Sequence, residues 1–142
     1  MNLDSLQSIE YEIALLVRLT TAYSPKLGKL DRSEYLILSE LNEKGPLAIN
    51  VIADTLMLNI STASRQVGVL ESKQYIKRYP APENGRISLI EITKKGQDIL
   101  QIVQKARYDF YSEALKNWST EELKQLEKNL IRLNQDFKQH NK

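Results

Sequence analysis

Apolar residues recur at three- and four-residue steps along most of this chain, and the helical period gives way to alternation in a single stretch, from Tyr75 to Ile92. A chain with this pattern is mainly α with one small β-hairpin. Leu6, Ile9, Ile13, Leu16 and Val17 predict a first helix over Ser5–Tyr23, interrupted by Ser24-Pro25. Asp31 and Glu34 have the spacing of a capping box for a second helix, which turns Tyr35, Leu38 and Leu41 inward and stops at Gly45-Pro46. Ile49, Ile52, Ala53 and Leu56 describe a short third helix. Asn59-Ile60-Ser61 reads as a turn, with Ser61 capping a fourth helix over Thr62–Ser72. Two short helices joined this closely make a helix-turn-helix.

The alternating runs 75–79 and 87–92 flank Pro80-Ala81-Pro82-Glu83-Asn84-Gly85-Arg86, and Asn84-Gly85 is expected at the hairpin tip. Thr93 then caps a long helix carrying Ile99, Leu100, Val103, Phe110 and Leu115, and Ser119 with Glu122 forms a second capping box. In the last helix Leu123, Leu126, Leu130, Leu133 and Phe137 form a narrow seam suited to a partner helix. Such a seam also suits a helix packed on its own domain. The narrow stripe favours an interface, and Leu6 and Ile9 of the first helix are expected to share it.

Composition removes whole classes of function. Among 142 residues there is no cysteine and one histidine, His140, so thiol chemistry, disulfides and a cysteine or histidine metal centre are not expected. No nucleophile paired with a base and no phosphate-binding glycine loop is visible; an enzyme is the least favoured reading, and no cofactor is expected. No apolar run approaches the roughly 20 residues that span a bilayer, and Met1 precedes Asn2-Leu3-Asp4 rather than a basic stretch and an apolar block. The expected location is the cytoplasm, without a membrane partner. A net charge of +2 permits a nucleic-acid partner without requiring one.

The placement of residues says more. In a helix-turn-helix the second helix enters the major groove, so its first turns must be polar, small and free of core duty. Ser61, Thr62, Ser64, Arg65 and Gln66 meet that demand, with Arg65 suited to guanine and Gln66 to adenine. A polar solvent-facing helix would look similar. The hairpin that follows at once turns the balance, because it can act as a wing that carries Arg86 into a narrow minor groove.

The order of elements and the central motifs resemble the MarR family of winged-helix transcriptional regulators over nearly the whole chain. The motifs are Gly45-Pro46, Ile52-Ala53-Asp54, Ser61-Thr62-Ala63-Ser64-Arg65, Leu70-Glu71, Tyr75-Ile76-Lys77-Arg78, Arg86 and Ile92-Thr93-Lys94-Lys95-Gly96. The resemblance implies one domain over 1–142, with a winged lobe over 30–96 and dimerisation helices over 1–29 and 97–142. It implies a homodimer on a pseudo-palindromic double-stranded operator, acting as a repressor released by a small lipophilic or phenolic effector. Tyr11, Tyr23, Tyr35, Tyr108 and Tyr111 fall on the segments that would wall the effector cleft; taken singly, each also fits ordinary packing. Five positions depart from the family pattern: Ala48 replaces a helix-capping Thr or Ser, Gly68-Val69 an Asp-Arg pair, Gln74 a glycine and Asn84 an aspartate. The competing reading is a winged-helix protein-interaction module without DNA binding.

Overall fold

The computed structural model describes residues 3–140. In chain order it contains α1 (Leu3–Ala22), a 3-10 turn (Ser24–Leu27), α2 (Arg32–Lys44), β1 (Leu47–Ala48), α3 (Ile49–Thr55), α4 (Ile60–Ser72), β2 (Ile76–Ala81), β3 (Asn84–Ile92), α5 (Lys94–Ala114) and α6 (Thr120–His140). The architecture is mainly α with a small antiparallel sheet in the order β1-β3-β2, as the apolar periods require.

Local chemistry sets the boundaries. The Asp31 side chain accepts from the Glu34 backbone N–H at 2.8 Å, and Glu34 Oε1 accepts from the Asp31 N–H at 3.0 Å, so both halves of the capping box start α2. Thr93 Oγ1 accepts from the Gly96 N–H at 3.0 Å and starts α5, while Ser119 and Glu122 cap α6 reciprocally at 3.1 and 2.8 Å. Gly96 also lets α5 approach the chain before the wing: a β-carbon there would collide with the Tyr75 carbonyl.

The core lies in the lobe. Ile37, Leu38 and Leu41 of α2 meet Ile52 of α3, Val67 and Leu70 of α4, Ile76 and Ile90 of the sheet, and Leu100 and Val103 of α5. The first turns of α5 thus belong to this core. By contrast α6 buries no residue among those described, and Leu16 and Val17 of α1 remain about half exposed.

Several sequence expectations are corrected. The cap of α4 is Asn59 rather than Ser61: its Oδ1 accepts from the Thr62 N–H at 2.8 Å, and the helix begins at Ile60. The hairpin tip is Pro82-Glu83 rather than Asn84-Gly85, because Asn84 already pairs with Ala81. A two-residue Asn-Gly turn needs left-handed backbone, which neither Asn84 nor Gly85 adopts, whereas proline's fixed φ suits the start of an ordinary turn. Strand β1, pairing Leu47 with Ile90 and Ala48 with Leu89, went unread because two residues carry no period. The first helix spans Leu3–Ala22 rather than Ser5–Tyr23, with Pro25 in the 3-10 turn beyond it.

Candidate nucleic-acid interface

Helix α4 divides its residues by face. Ala63, Val67 and Leu70 are buried, which turns Ser61, Ser64 and Arg65 to solvent; Thr62 and Gln66 lie half-buried at the flanks. The Ser61 hydroxyl lies 2.9 Å from Asn59 Oδ1, and Gln66 Oε1 is buried without a hydrogen-bond partner among the described residues. No ion pair engages Arg65 among the described residues, so its guanidinium is available to a base edge or phosphate.

The wing has its own irregularity. Pro80 pairs with Ser88 but Ala81 pairs with Asn84, so Gly85, Arg86 and Ile87 fall in the gap between the two pairings. The Arg86 N–H donates to Asn84 Oδ1 at 3.1 Å, replacing a ladder bond with a side-chain one. Two other basic residues of the hairpin are engaged: Arg78 Nε donates to Glu71 Oε1 at 3.1 Å, and Lys77 Nζ lies 3.5 Å from Glu91. Arg86 has no ion pair among the described residues.

The C-terminal end of α4 is held firmly. Lys73 Nζ donates to Glu34 Oε2 at 2.6 Å, and Thr93 Oγ1 donates to the Gln74 carbonyl at 2.7 Å. Gln74 sits at φ 66°, the left-handed conformation expected where a glycine is usual. The Lys73 ammonium is raised above its ordinary pKa of 10.5, first by the hydrogen bond to Glu34. The turn before α4 contains Met57, likewise left-handed at φ 52°.

Between α1, the start of α2 and α5 lies a cavity of about 620 Å³, with Thr20, Thr21, Asp31, Arg32, Arg107 and Tyr111 in its wall. Arg32 Nη2 donates to the hydroxyls of Thr20 and Thr21 at 3.3 and 3.5 Å. Arg107 stands 4.0 Å over the Tyr35 ring, and its Nε is buried without a hydrogen-bond partner among the described residues. Of the expected cleft tyrosines, Tyr111 lines the cavity, Tyr35 supports Arg107 and Tyr23 packs on Phe110 at 5.2 Å; Tyr11 and Tyr108 are 61% and 71% exposed and lie outside the cavity wall. Sequence reasoning missed Arg32 and Arg107. An arginine in the first turn of a helix, or one among the charges of a long helix, carries no local signal of a shared wall.

The proposed dimer residues also separate by exposure. Leu6, Ile9, Leu123 and Leu130 are exposed, Leu126 and Leu133 half-buried, and Leu133 shares a shallow apolar groove with Ile9, Ile13 and Leu16 of α1.

Residues 30–88 match the profile of the MarR family. A relative from Bacillus subtilis, the uncharacterised HTH-type transcriptional regulator YxaD, is 38% identical over 139 residues, covering 96% of this chain and 97% of that protein. The chain belongs to the MarR family. The HTH-type transcriptional repressor IacR of Pseudomonas putida is 21% identical over 133 residues, spanning 89% of this chain and 80% of its own. A MarR family protein from Bacillus stearothermophilus shares the fold, with a TM-score of 0.79 at 20% identity over 96% of this chain and 98% of that one. The chain is therefore a winged-helix, DNA-binding regulator of transcription. No helix among the described residues is long and apolar enough to cross a membrane.

Proposed function

We propose that this MarR regulator is a homodimeric, sequence-specific repressor that reads a pseudo-palindromic double-stranded operator and leaves it when a small aromatic effector binds. The observation that carries the DNA reading is the exposed polar face of α4. Ser61, Ser64 and Arg65, flanked by Thr62 and Gln66, face out together, and Arg86 stands on the irregular part of the wing without an ion pair among the described residues. Arg65 reads a base edge, and Arg86 adds affinity through groove shape or phosphate. A repressor among the relatives supports the direction of control.

The effector reading rests on the cavity between α1, α2 and α5. Two guanidiniums in its wall, one with an unpartnered Nε, favour a guest with an acidic group on an aromatic body, such as a phenol or an aromatic acid. Such a guest competes with the Thr20 and Thr21 hydroxyls for Arg32. Glu34, on the same turn of α2, reaches the end of α4 through Lys73, so displacing Arg32 disturbs the turn that holds the recognition helix. In this scheme residues 30–96 form the reading lobe, and the helices of 1–29 and 97–142 join the protomers.

The deciding experiment is selection from a randomised duplex pool, followed by affinity profiles of Arg65→Ala and Arg86→Ala. Arg65→Ala should cost about 1–3 kcal/mol at particular base pairs and flatten preference there, while Arg86→Ala should weaken most sequences alike. Unchanged base preferences after Arg65→Ala would remove its reading role.

A further inference from the structure

The two ends of the recognition helix are held differently. Asn59 caps the N-terminal end from the preceding turn, whereas Lys73 at the C-terminal end is bonded to Glu34, on another helix and 39 residues away in sequence. Glu34 is 5% exposed and is the one charged residue buried among those described. Its Oε1 serves the capping box, a task that a glutamine performs as well. A buried carboxylate bears a desolvation cost that an amide does not, so the cap alone does not account for the charge. The ammonium at Oε2 does: Lys73 Nζ is 2.6 Å away, and its raised pKa reflects that bond.

The position of the pair gives it leverage. Lys73 stands eight residues beyond Arg65, about 12 Å along the axis, so a tilt of about 5° at that end moves the Arg65 backbone by about 1 Å. Donor-acceptor distances in good hydrogen bonds span only about half that range, roughly 2.7–3.2 Å. We propose that Glu34 is a positioning residue for DNA recognition: through Lys73 it fixes the angle at which α4 presents Ser61, Ser64 and Arg65 to the groove. This rests on the reading of α4 as the base-contacting helix.

The test compares binding to the duplex enriched by the wild-type protein with binding to a scrambled duplex. It uses the full chain and the variants Glu34→Gln, Lys73→Met and Lys73→Arg, each with and without Arg65→Ala. Glu34→Gln and Lys73→Met should lower the ratio of the two affinities about tenfold, the size of one base contact, and leave the scrambled duplex bound as before. Lys73→Arg should restore the ratio, and Arg65→Ala should cost less discrimination in the Glu34→Gln background than in the wild type. A lower melting temperature with an unchanged ratio would overturn the proposal, leaving the pair a purely structural one. Equal weakening on both duplexes by Lys73→Met, with a shallower salt dependence that Glu34→Gln does not share, would also overturn it by making Lys73 a phosphate contact. Should Glu34→Gln fail to fold, Lys73→Met at the half-exposed partner reads the same ratio. A wild-type protein that enriches no sequence would instead remove the reading of α4 itself.

Discussion

Two residues other than glycine hold left-handed backbone among those described, Met57 and Gln74, and they bracket α4. For a residue with a β-carbon this conformation costs about 1–2 kcal/mol, partly offset by the greater freedom glycine has in the unfolded chain. Gln74→Gly should therefore stabilise the protein by about 0.5–1 kcal/mol, read as a higher denaturant midpoint. Asn59→Ala at the opposite end should lower stability by about 1 kcal/mol, and Ser61→Ala by less, since Asn59 Oδ1 is what accepts from the helix. Gln74 was legible through the family resemblance, which puts a glycine where this chain turns left-handed. Met57 was not, because nothing in a Leu-Met-Leu run marks a turn. The choice of Asn59 over Ser61 was equally hidden: both are good caps, and only the backbone path decides between them.

Lys73 adds a pH signature at the same scale. Its pKa is raised in the folded protein, so the pair's contribution is fully present below the ordinary lysine value of 10.5 and is lost as pH rises through the raised one. The stability gap between wild type and Lys73→Met should hold from neutral pH to about 10.5 and then narrow. A gap that stays constant as the pH is raised beyond about 10.5 in alkaline denaturant titrations would contradict the ionic account.

At the scale of elements, the helices were legible where a period and a cap coincided, as at Asp31, Thr93 and Ser119. The wing was legible as a hairpin but not in its tip, since an Asn-Gly pair competes with a nearby proline and the strand register settles the contest. The short strand β1 depends on Leu89 and Ile90 for its existence, partners more than 40 residues away. Its second residue, Ala48, is also the N-cap of α3 and supplies no side-chain bond. Threonine suits both duties, with a hydroxyl for the cap and a branched β-carbon for the strand. Ala48→Thr should raise stability by about 1 kcal/mol, measured by the denaturant midpoint, with DNA affinity unchanged because Ala48 lies outside the reading face.

The whole molecule sets a folded lobe beside helices that lack a comparable core. Apolar side chains of the lobe close around Ile37, Ile52, Leu70 and Ile90, yet Leu6, Ile9, Leu123, Leu130 and Phe137 on the flanking helices are between 38% and 57% exposed. The cavity between α1, α2 and α5 shows the same division of labour: its wall joins α1 and α5 to the first turn of α2, so the arginines in it become neighbours only when distant segments meet. Patterning along one helix could show an apolar seam but not which surfaces would share a cavity. The homodimer proposed above covers an apolar face of this extent, and its two-fold symmetry would bring two α4 helices to successive major grooves. Leu130→Asp tests both consequences. Placing a carboxylate in that seam costs several kcal/mol in the dimer but little in a lone chain, where Leu130 is 43% exposed and outside the lobe core. Sedimentation should shift from dimer to monomer while the circular dichroism of the fold is retained. Operator affinity should fall far more than affinity for a single half-site, because linking two reading heads is what multiplies their binding. A dimer that sediments unchanged would place the interface elsewhere than the Leu123 to Phe137 seam.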